Sequence, residues 1–174
     1  LIIVVKIIIL EINKMAAFLP LAEAAAPELE AAASSACKEA LPELENGLLK
    51  QGITKEGVTP EAGQGIESQL SNALGKQVND VVKNFSPNSK GQLFDTSSGG
   101  GTTVDNLANK ISHNVFHPKI DEFCSTNGLS SDIGNTLKGF ADQATSGFLN
   151  KCVGEIKNTF NQEGGELKKQ LSDR

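Results

Sequence analysis

The sequence predicts an all-α protein, in which amphipathic helices form a small irregular bundle with a flexible Gly/Ser linker. Two observations predict this class. Aliphatic residues recur at spacings of three and four over long stretches, and the segment before residue 52 is rich in Ala and Glu, which favour helices. The 174 residues include eight Phe but neither Trp nor Tyr, so large core side chains are scarce. The bundle is therefore a candidate for completion by partner subunits.

The first segment, residues 1–14, differs in composition from everything after it. LIIVVKIIILEINK consists almost wholly of Leu, Ile, Val, Lys and Asn, and the composition changes at Met15, the only methionine. One interpretation is that translation starts at Met15 and the segment is translated upstream sequence. The alternatives are an extended N-terminal segment, whose β-branched residues suit a short strand, and a signal peptide without the usual basic start. The apolar run 1–10 is far shorter than the roughly 20 residues of a spanning helix.

The acidic, Ala-rich segment 15–52 predicts a helical arm. Pro27 and Pro42 are each followed by Glu, an arrangement typical of the first turn of a helix. Helices are therefore expected at about 27–39 and 42–50, the second ended by Gly52. Small side chains offer little packing area, so the arm either lies against something larger or is solvated.

The segment 53–85 predicts one amphipathic helix that begins at Thr59-Pro60-Glu61, an N-cap followed by proline at the first helical position. Its apolar positions recur every three or four residues, and they are Ile66, Leu70, Leu74, Val78, Val81, Val82 and Phe85.

Turn-forming residues dominate the segment 86–103, which predicts a flexible linker. Gly99, Gly100 and Gly101 follow two serines, a composition typical of a hinge or disordered loop, and we expect these glycines to be exposed. The segment lacks the preceding strand and the GK[ST] ending of a phosphate-binding loop. No phosphate site is expected there.

The segment 104–174 predicts a helical C-terminal region. A short helix is expected at about 103–116, a break at His117-Pro118, and a second short helix closed by the turn at Asn127-Gly128. The longest helix is expected at 131–162, capped by Ser130 or Ser131, with a short basic tail helix after it. Gly164-Gly165 predicts the end of that helix.

Four glycines lie inside the longest predicted helix, at positions 134, 139, 147 and 154. Each costs about 1 kcal/mol relative to alanine in an isolated helix. Close approach of a partner helix is the expectation that explains them, and an uncharged polar face that senses lipid packing is the alternative.

The apolar stripes of the two long helices predict an interaction face. Stripes of this kind pack on another helix, on a partner or on a lipid surface. The face consists of Ile66, Leu70, Leu74, Val78, Val82, Ile133, Leu137, Phe140, Phe148, Cys152, Ile156 and Phe160.

The two histidines, His113 and His117, are separated by four residues, which places them on one helix face as in a zinc-binding pair. Asp121 and Glu122 are nearby carboxylates, but Pro118 follows directly and the glutamate of H-E-x-x-H is absent. We expect no metal and no other cofactor. The pair is interpreted as surface or helix-end residues capable of a pH-dependent contact.

Three cysteines, Cys37, Cys124 and Cys152, lie far apart without a CxxC pair. Buried or free thiols of a reducing compartment are expected, and one disulfide with one free thiol is the alternative. No signature of a cysteine enzyme surrounds Cys124, and no nucleophile elbow occurs, so no catalytic residue is expected.

These patterns predict a non-enzymatic structural or assembly protein, a helical subunit or minor component of a larger complex such as a virus particle. Its partners are other proteins or further copies of itself. The alternative is a membrane-surface or lipid-binding protein that uses 60–85 and 131–162, although polar faces poor in Lys and Arg weaken attraction to anionic lipid. The net charge of −5 and the single arginine, Arg174, argue against nucleic acid as a partner.

Overall fold

The computed structural model describes residues 2–7, 22–50, 52–83 and 100–172, and it confirms the all-α class. These ranges contain six α-helices and no β-strand. The helices are α1 (2–7), α2 (Ala22–Glu39), α3 (Leu41–Lys50), α4 (Pro60–Lys83), α5 (Gly100–Asn127) and α6 (Ser131–Ser172). The segment limits proposed from composition, such as 15–52 and 104–174, remain a prediction about domain organisation.

Four helices form a ring of neighbours around one core. α6 packs along both α4 and α5, and α2 packs on the same two helices from the other side. α3 packs mainly on α4. The sequential pair α5 and α6 is joined by a short loop at 128–130, so the two helices run antiparallel.

The core lies where the apolar stripes of these helices meet. Its largest fully buried aliphatic and aromatic side chains come from α3, α4, α5 and α6. They are Leu44, Ile66, Leu70, Leu74, Ile111, Phe116, Ile120, Leu137, Leu149 and Ile156. α2 contributes smaller residues, with Ala33 and Cys37 fully buried, so the predicted arm lies against the larger helices.

The predicted helix starts are confirmed at two caps. The Thr59 hydroxyl accepts a hydrogen bond from the Ala62 amide at 3.2 Å, ahead of Pro60 at the first position of α4. The Ser130 hydroxyl accepts one from the Ile133 amide at 3.4 Å and so caps α6. Each cap satisfies an amide that the first turn of a helix leaves without a partner.

The turn at Asn127-Gly128 is also confirmed, and it requires glycine. Gly128 has φ +63°, the left-handed conformation that ends many helices. The Leu129 amide donates to the Cys124 carbonyl at 2.9 Å, which closes the last turn of α5. The chain can then reverse into α6.

The predicted break at His117-Pro118 is wrong, because α5 continues through Pro118 to Asn127. Proline lacks the amide hydrogen of the helix ladder, at a cost of about 3 kcal/mol or more. The apolar stripe runs on across the proline, with Phe116 and Ile120 both fully buried. Burial on both sides of Pro118 offsets the lost hydrogen bond.

Four other boundaries differ from the predictions. Residues 2–7 are helical where a strand was the structural alternative, and α2 begins at Ala22 rather than near Pro27. Gly100 and Gly101 belong to α5 rather than to the linker. The linker residues 86–99 lie outside the described ranges, as does the expected exposure of the three glycines. Gly164 and Gly165 do not end α6, which reaches Ser172. At Pro27, at Gly100 and Gly101 and at Gly164 and Gly165, the helix extends across residues that disfavour it locally.

Candidate functional site

The predicted interaction face lies mostly inside the molecule. Nine of its residues are buried by this chain itself: Ile66, Leu70, Leu74, Val78, Ile133, Leu137, Phe148, Cys152 and Ile156. Val82 and Phe140 are half-buried, and the Phe160 side chain lies outside the described part. The stripes of α4 and α6 therefore contact each other in the monomer. Contact of these stripes with a partner stays a prediction. Because they are buried, a partner must bind either a different surface or a bundle that has opened.

The glycines of α6 are not explained by packing within the chain. A Cβ atom built at Gly134 would lie 3.5 Å from the Cys124 sulfur, an ordinary contact. At Gly139, Gly147 and Gly154 it would meet nothing within 4 Å. Close approach inside this chain therefore accounts for none of the last three glycines.

A shallow groove of about 210 Å³ lies between α4 and α6. Small residues form much of its lining, and the buried ring of Phe148 contributes to it. The lining residues are Ser71, Gly75, Ala144, Gly147, Phe148 and Lys151. Small side chains at a helix pair allow a third backbone to approach closely.

Large aliphatic side chains are exposed on α1. Ile2, Ile3, Val4 and Val5 keep 73%, 54%, 56% and 48% of their surface in solvent. Leu49, at the end of α3, is exposed as well. Within the described ranges, no helix is both long enough and apolar enough to cross a membrane.

A cluster of two imidazoles and one carboxylate lies at the contact of α5 with α6. It consists of His113 and His117 on α5 and Asp142 on α6, with one nitrogen or oxygen from each all within 4.8 Å of one another. The His117 Nε2 and the Asp142 Oδ1 are 2.8 Å apart. The two imidazole ring centres are 4.0 Å apart.

The three cluster residues differ in their access to solvent. The His117 side chain is only 13% exposed and that of Asp142 is 29% exposed, whereas His113 is exposed. The His113 Nδ1 lies 2.6 Å from the carbonyl oxygen of Asn109. A carbonyl oxygen can only accept, so Nδ1 carries the proton and the lone pair of His113 lies on Nε2.

The prediction that the two histidines share a helix face holds, but the carboxylates named with them do not join them. Asp121 pairs with Lys138 at 2.6 Å, and Glu122 lies near Lys119 at 3.4 Å. Asp142 was missed because it stands 25 residues from His117 along the chain. Its half-buried position on α6 is set by helix packing, which no local motif encodes.

The three cysteines are free and buried, as the first of the two sequence hypotheses predicted. Burial raises the pKa of Cys37 to about 12, and the nearby Cys152 adds to the effect. Burial likewise raises the pKa of Cys152 to about 12. The pKa of Cys124 is raised by burial and by the Asp121 carboxylate, against the lowering effect of Lys138. All three thiols are therefore protonated at neutral pH.

The described residues form an all-α helical bundle. None of its three cysteines has the lowered pKa of an activated nucleophile. Comparison with family models, with curated proteins and with solved structures finds no match for the chain.

Proposed function

We propose that the protein is a non-enzymatic helical assembly protein whose principal partner is a second copy of itself. The observation that carries this proposal is the exposure of four consecutive aliphatic residues on α1, Ile2 to Val5. A soluble protein rarely leaves contiguous aliphatic side chains uncovered unless they contact a partner.

The groove between α4 and α6 supports the proposal as the receiving surface. Gly75 and Gly147 line it, and open space surrounds the Cβ position of each. The groove is large enough for aliphatic side chains of α1 from a second copy, which would contact its apolar part at Phe148. Such docking also gives Gly147 a reason to lack a side chain, which packing within one chain does not.

The state of the thiols supports a role without catalysis. Cysteine is nucleophilic as the thiolate, and an activated cysteine has a lowered pKa. Here the pKa of Cys37, Cys124 and Cys152 is raised, and all three side chains are buried. This arrangement is typical of core packing.

Sedimentation velocity over a range of protein concentrations tests the proposal. The wild-type chain should show a reversible monomer–dimer equilibrium. The double variant Ile3→Ser/Val4→Ser should raise the dissociation constant at least about tenfold, because each lost aliphatic contact is worth about 1 kcal/mol or more. Leu49→Ser, which also removes an exposed aliphatic side chain, is the matched control and should leave the equilibrium unchanged.

A second pair of variants tests the groove. Gly147→Phe fills it and should weaken self-association, whereas Gly139→Phe places the same ring on α6 outside the groove lining and should not. Loss of association in the α1 variant with no effect of Gly147→Phe would mean that α1 helices contact each other instead. A wild-type chain that stays monomeric at every concentration would contradict the proposal.

The membrane-surface alternative is an outcome of a parallel measurement. Vesicles of phosphatidylcholine, with and without phosphatidylglycerol, are sedimented with the protein in the concentration range of the first experiment. A net charge of −5 disfavours the anionic vesicles. A monomer that binds vesicles through α1 would establish the lipid-binding function in place of assembly.

A further inference from the structure

We infer that His113, His117 and Asp142 form a binding site for one divalent transition-metal ion, for which zinc is the natural probe. The inference starts from the positions of the three side chains. Two come from adjacent turns of α5 and the third faces them from α6, with their ligand atoms within 4.8 Å of one another. The site is independent of self-association.

The ligand types select the class of metal. Two imidazole nitrogens and one carboxylate oxygen suit zinc and related first-row ions, whereas calcium and magnesium prefer oxygen ligands alone. Three protein ligands leave one position of a tetrahedral ion for water. In such an ion neighbouring ligand atoms lie about 3.4 Å apart, from metal–ligand distances near 2.05 Å.

Small side-chain movements bring the ligands to that spacing. His117 Nε2 and Asp142 Oδ1 start 2.8 Å apart and must separate slightly to admit an ion between them. The longest distance between two ligand atoms is at most 4.8 Å, so it must shorten by up to about 1.4 Å to reach the 3.4 Å spacing of a tetrahedral site. His113 is exposed, so there is room around its ring for most of that movement.

The protonation of the cluster is suited to metal binding. Because His113 Nδ1 donates to the Asn109 carbonyl, Nε2 presents its lone pair, which is the usual arrangement behind a metal-binding histidine. When the ion binds His117 Nε2 and Asp142, Nε2 gives up the proton that it shares with the carboxylate and the neutral ring takes one from solvent at Nδ1, so that its lone pair lies on Nε2 and no net proton is released. No oxidant or further reactant is needed.

The location suggests what the metal does for the fold. His117 immediately precedes Pro118, where the ladder of α5 lacks one hydrogen bond. An ion held by His113, His117 and Asp142 ties α5 to α6 beside this point. We therefore expect the metal to stabilise the contact of the two helices.

Titration of the metal-free full chain with Co²⁺ tests the site, because tetrahedral Co²⁺ absorbs visible light and zinc does not. The expected result is one equivalent bound, with the intense bands of tetrahedral coordination, and displacement by Zn²⁺. His113→Ala and His117→Ala should each weaken binding more than about 100-fold, since even outer residues of such sites are worth 10- to 100-fold. Asp142→Asn should weaken it at least about tenfold.

Asp121→Asn is the matched control, because Asp121 is a carboxylate near the same helices that pairs with Lys138. It should bind Co²⁺ like the wild type. Circular dichroism of each variant verifies that the helices persist. Absence of Co²⁺ binding, equal binding by the His113→Ala and wild-type proteins, or charge-transfer bands of a cobalt–thiolate bond would each overturn the inference.

Discussion

Gly63 on α4 lies so close to Phe140 of α6 that the effect of substituting it on stability can be predicted quantitatively. A Cβ atom built there would lie 2.7 Å from Cε2 of Phe140 and closer still to Cζ. Ordinary carbon contacts are about 3.5 to 4.0 Å, so the ring must move by about 1 Å or more in Gly63→Ala. Overpacking of this kind costs about 1–3 kcal/mol.

The helix itself gains from the same substitution, because alanine is about 1 kcal/mol better than glycine in a helix interior. We therefore expect Gly63→Ala to lower the free energy of unfolding by about 1 kcal/mol. Gly75 on the same helix is the matched control, since nothing lies within 4 Å of its Cβ position. Gly75→Ala should raise the free energy of unfolding by about 1 kcal/mol.

Urea unfolding followed by circular dichroism measures both changes at a concentration where the chain is monomeric. A double-mutant cycle assigns the cause, because Phe140→Ala removes the ring that Gly63→Ala would displace. In that background Gly63→Ala should become stabilising, as Gly75→Ala is. If Gly63→Ala stabilised the wild-type chain as much as Gly75→Ala does, the packing of α4 against α6 described above would be refuted.

Three further results are expected. Zinc at about 100 times its dissociation constant should add about 2.7 kcal/mol to the free energy of unfolding and raise Tm by roughly 5 to 10 °C in a thermal scan. If Tm did not change, the cluster would not be a metal site of the folded state. Because the pKa of Cys37 and Cys152 rises from 9.0 to about 12 in the folded state, stability is retained below pH 9.0 and falls between pH 9.0 and about 12. The slope is at most about 1.4 kcal/mol per pH unit per thiol, and urea midpoints in Cys152→Ala should show a shallower fall than wild type. Leu137→Ala should lower the free energy of unfolding by about 2–5 kcal/mol and Leu49→Ala should hardly change it, since Leu137 is 1% exposed and Leu49 is 72% exposed. Equal losses of stability in the two variants would disprove the burial assigned to α6.

Local signals in the sequence predicted the helices well because helix formation is a local property. The spacing of Leu70, Leu74 and Val78 and the cap at Thr59 each act within a few residues. The same reasoning failed at Pro118, where tertiary burial of Phe116 and Ile120 overrides a local breaker. A local rule cannot weigh contacts that form only when other helices arrive.

The candidate metal cluster was predictable only in part for the same reason. The spacing of His113 and His117 revealed a pair on one face, but their third member depends on the register of α5 against α6. Asp142 enters that register from a different helix, and no motif in the sequence around it marks it as a ligand. Packing within the chain does not explain the open glycines of α6 at positions 139, 147 and 154, so the close approach of a partner helix expected from the sequence stays a prediction.

The length of α6 has a practical consequence for measuring assembly. Its 42 residues extend about 63 Å, whereas the 28 residues of α5 extend about 42 Å, so one helix overhangs the other by about 20 Å. A rod that projects from a bundle slows tumbling and passage through a porous matrix beyond what its mass dictates. Elution volume alone would therefore overstate the mass of a lone chain, and mass must be measured by light scattering or equilibrium centrifugation.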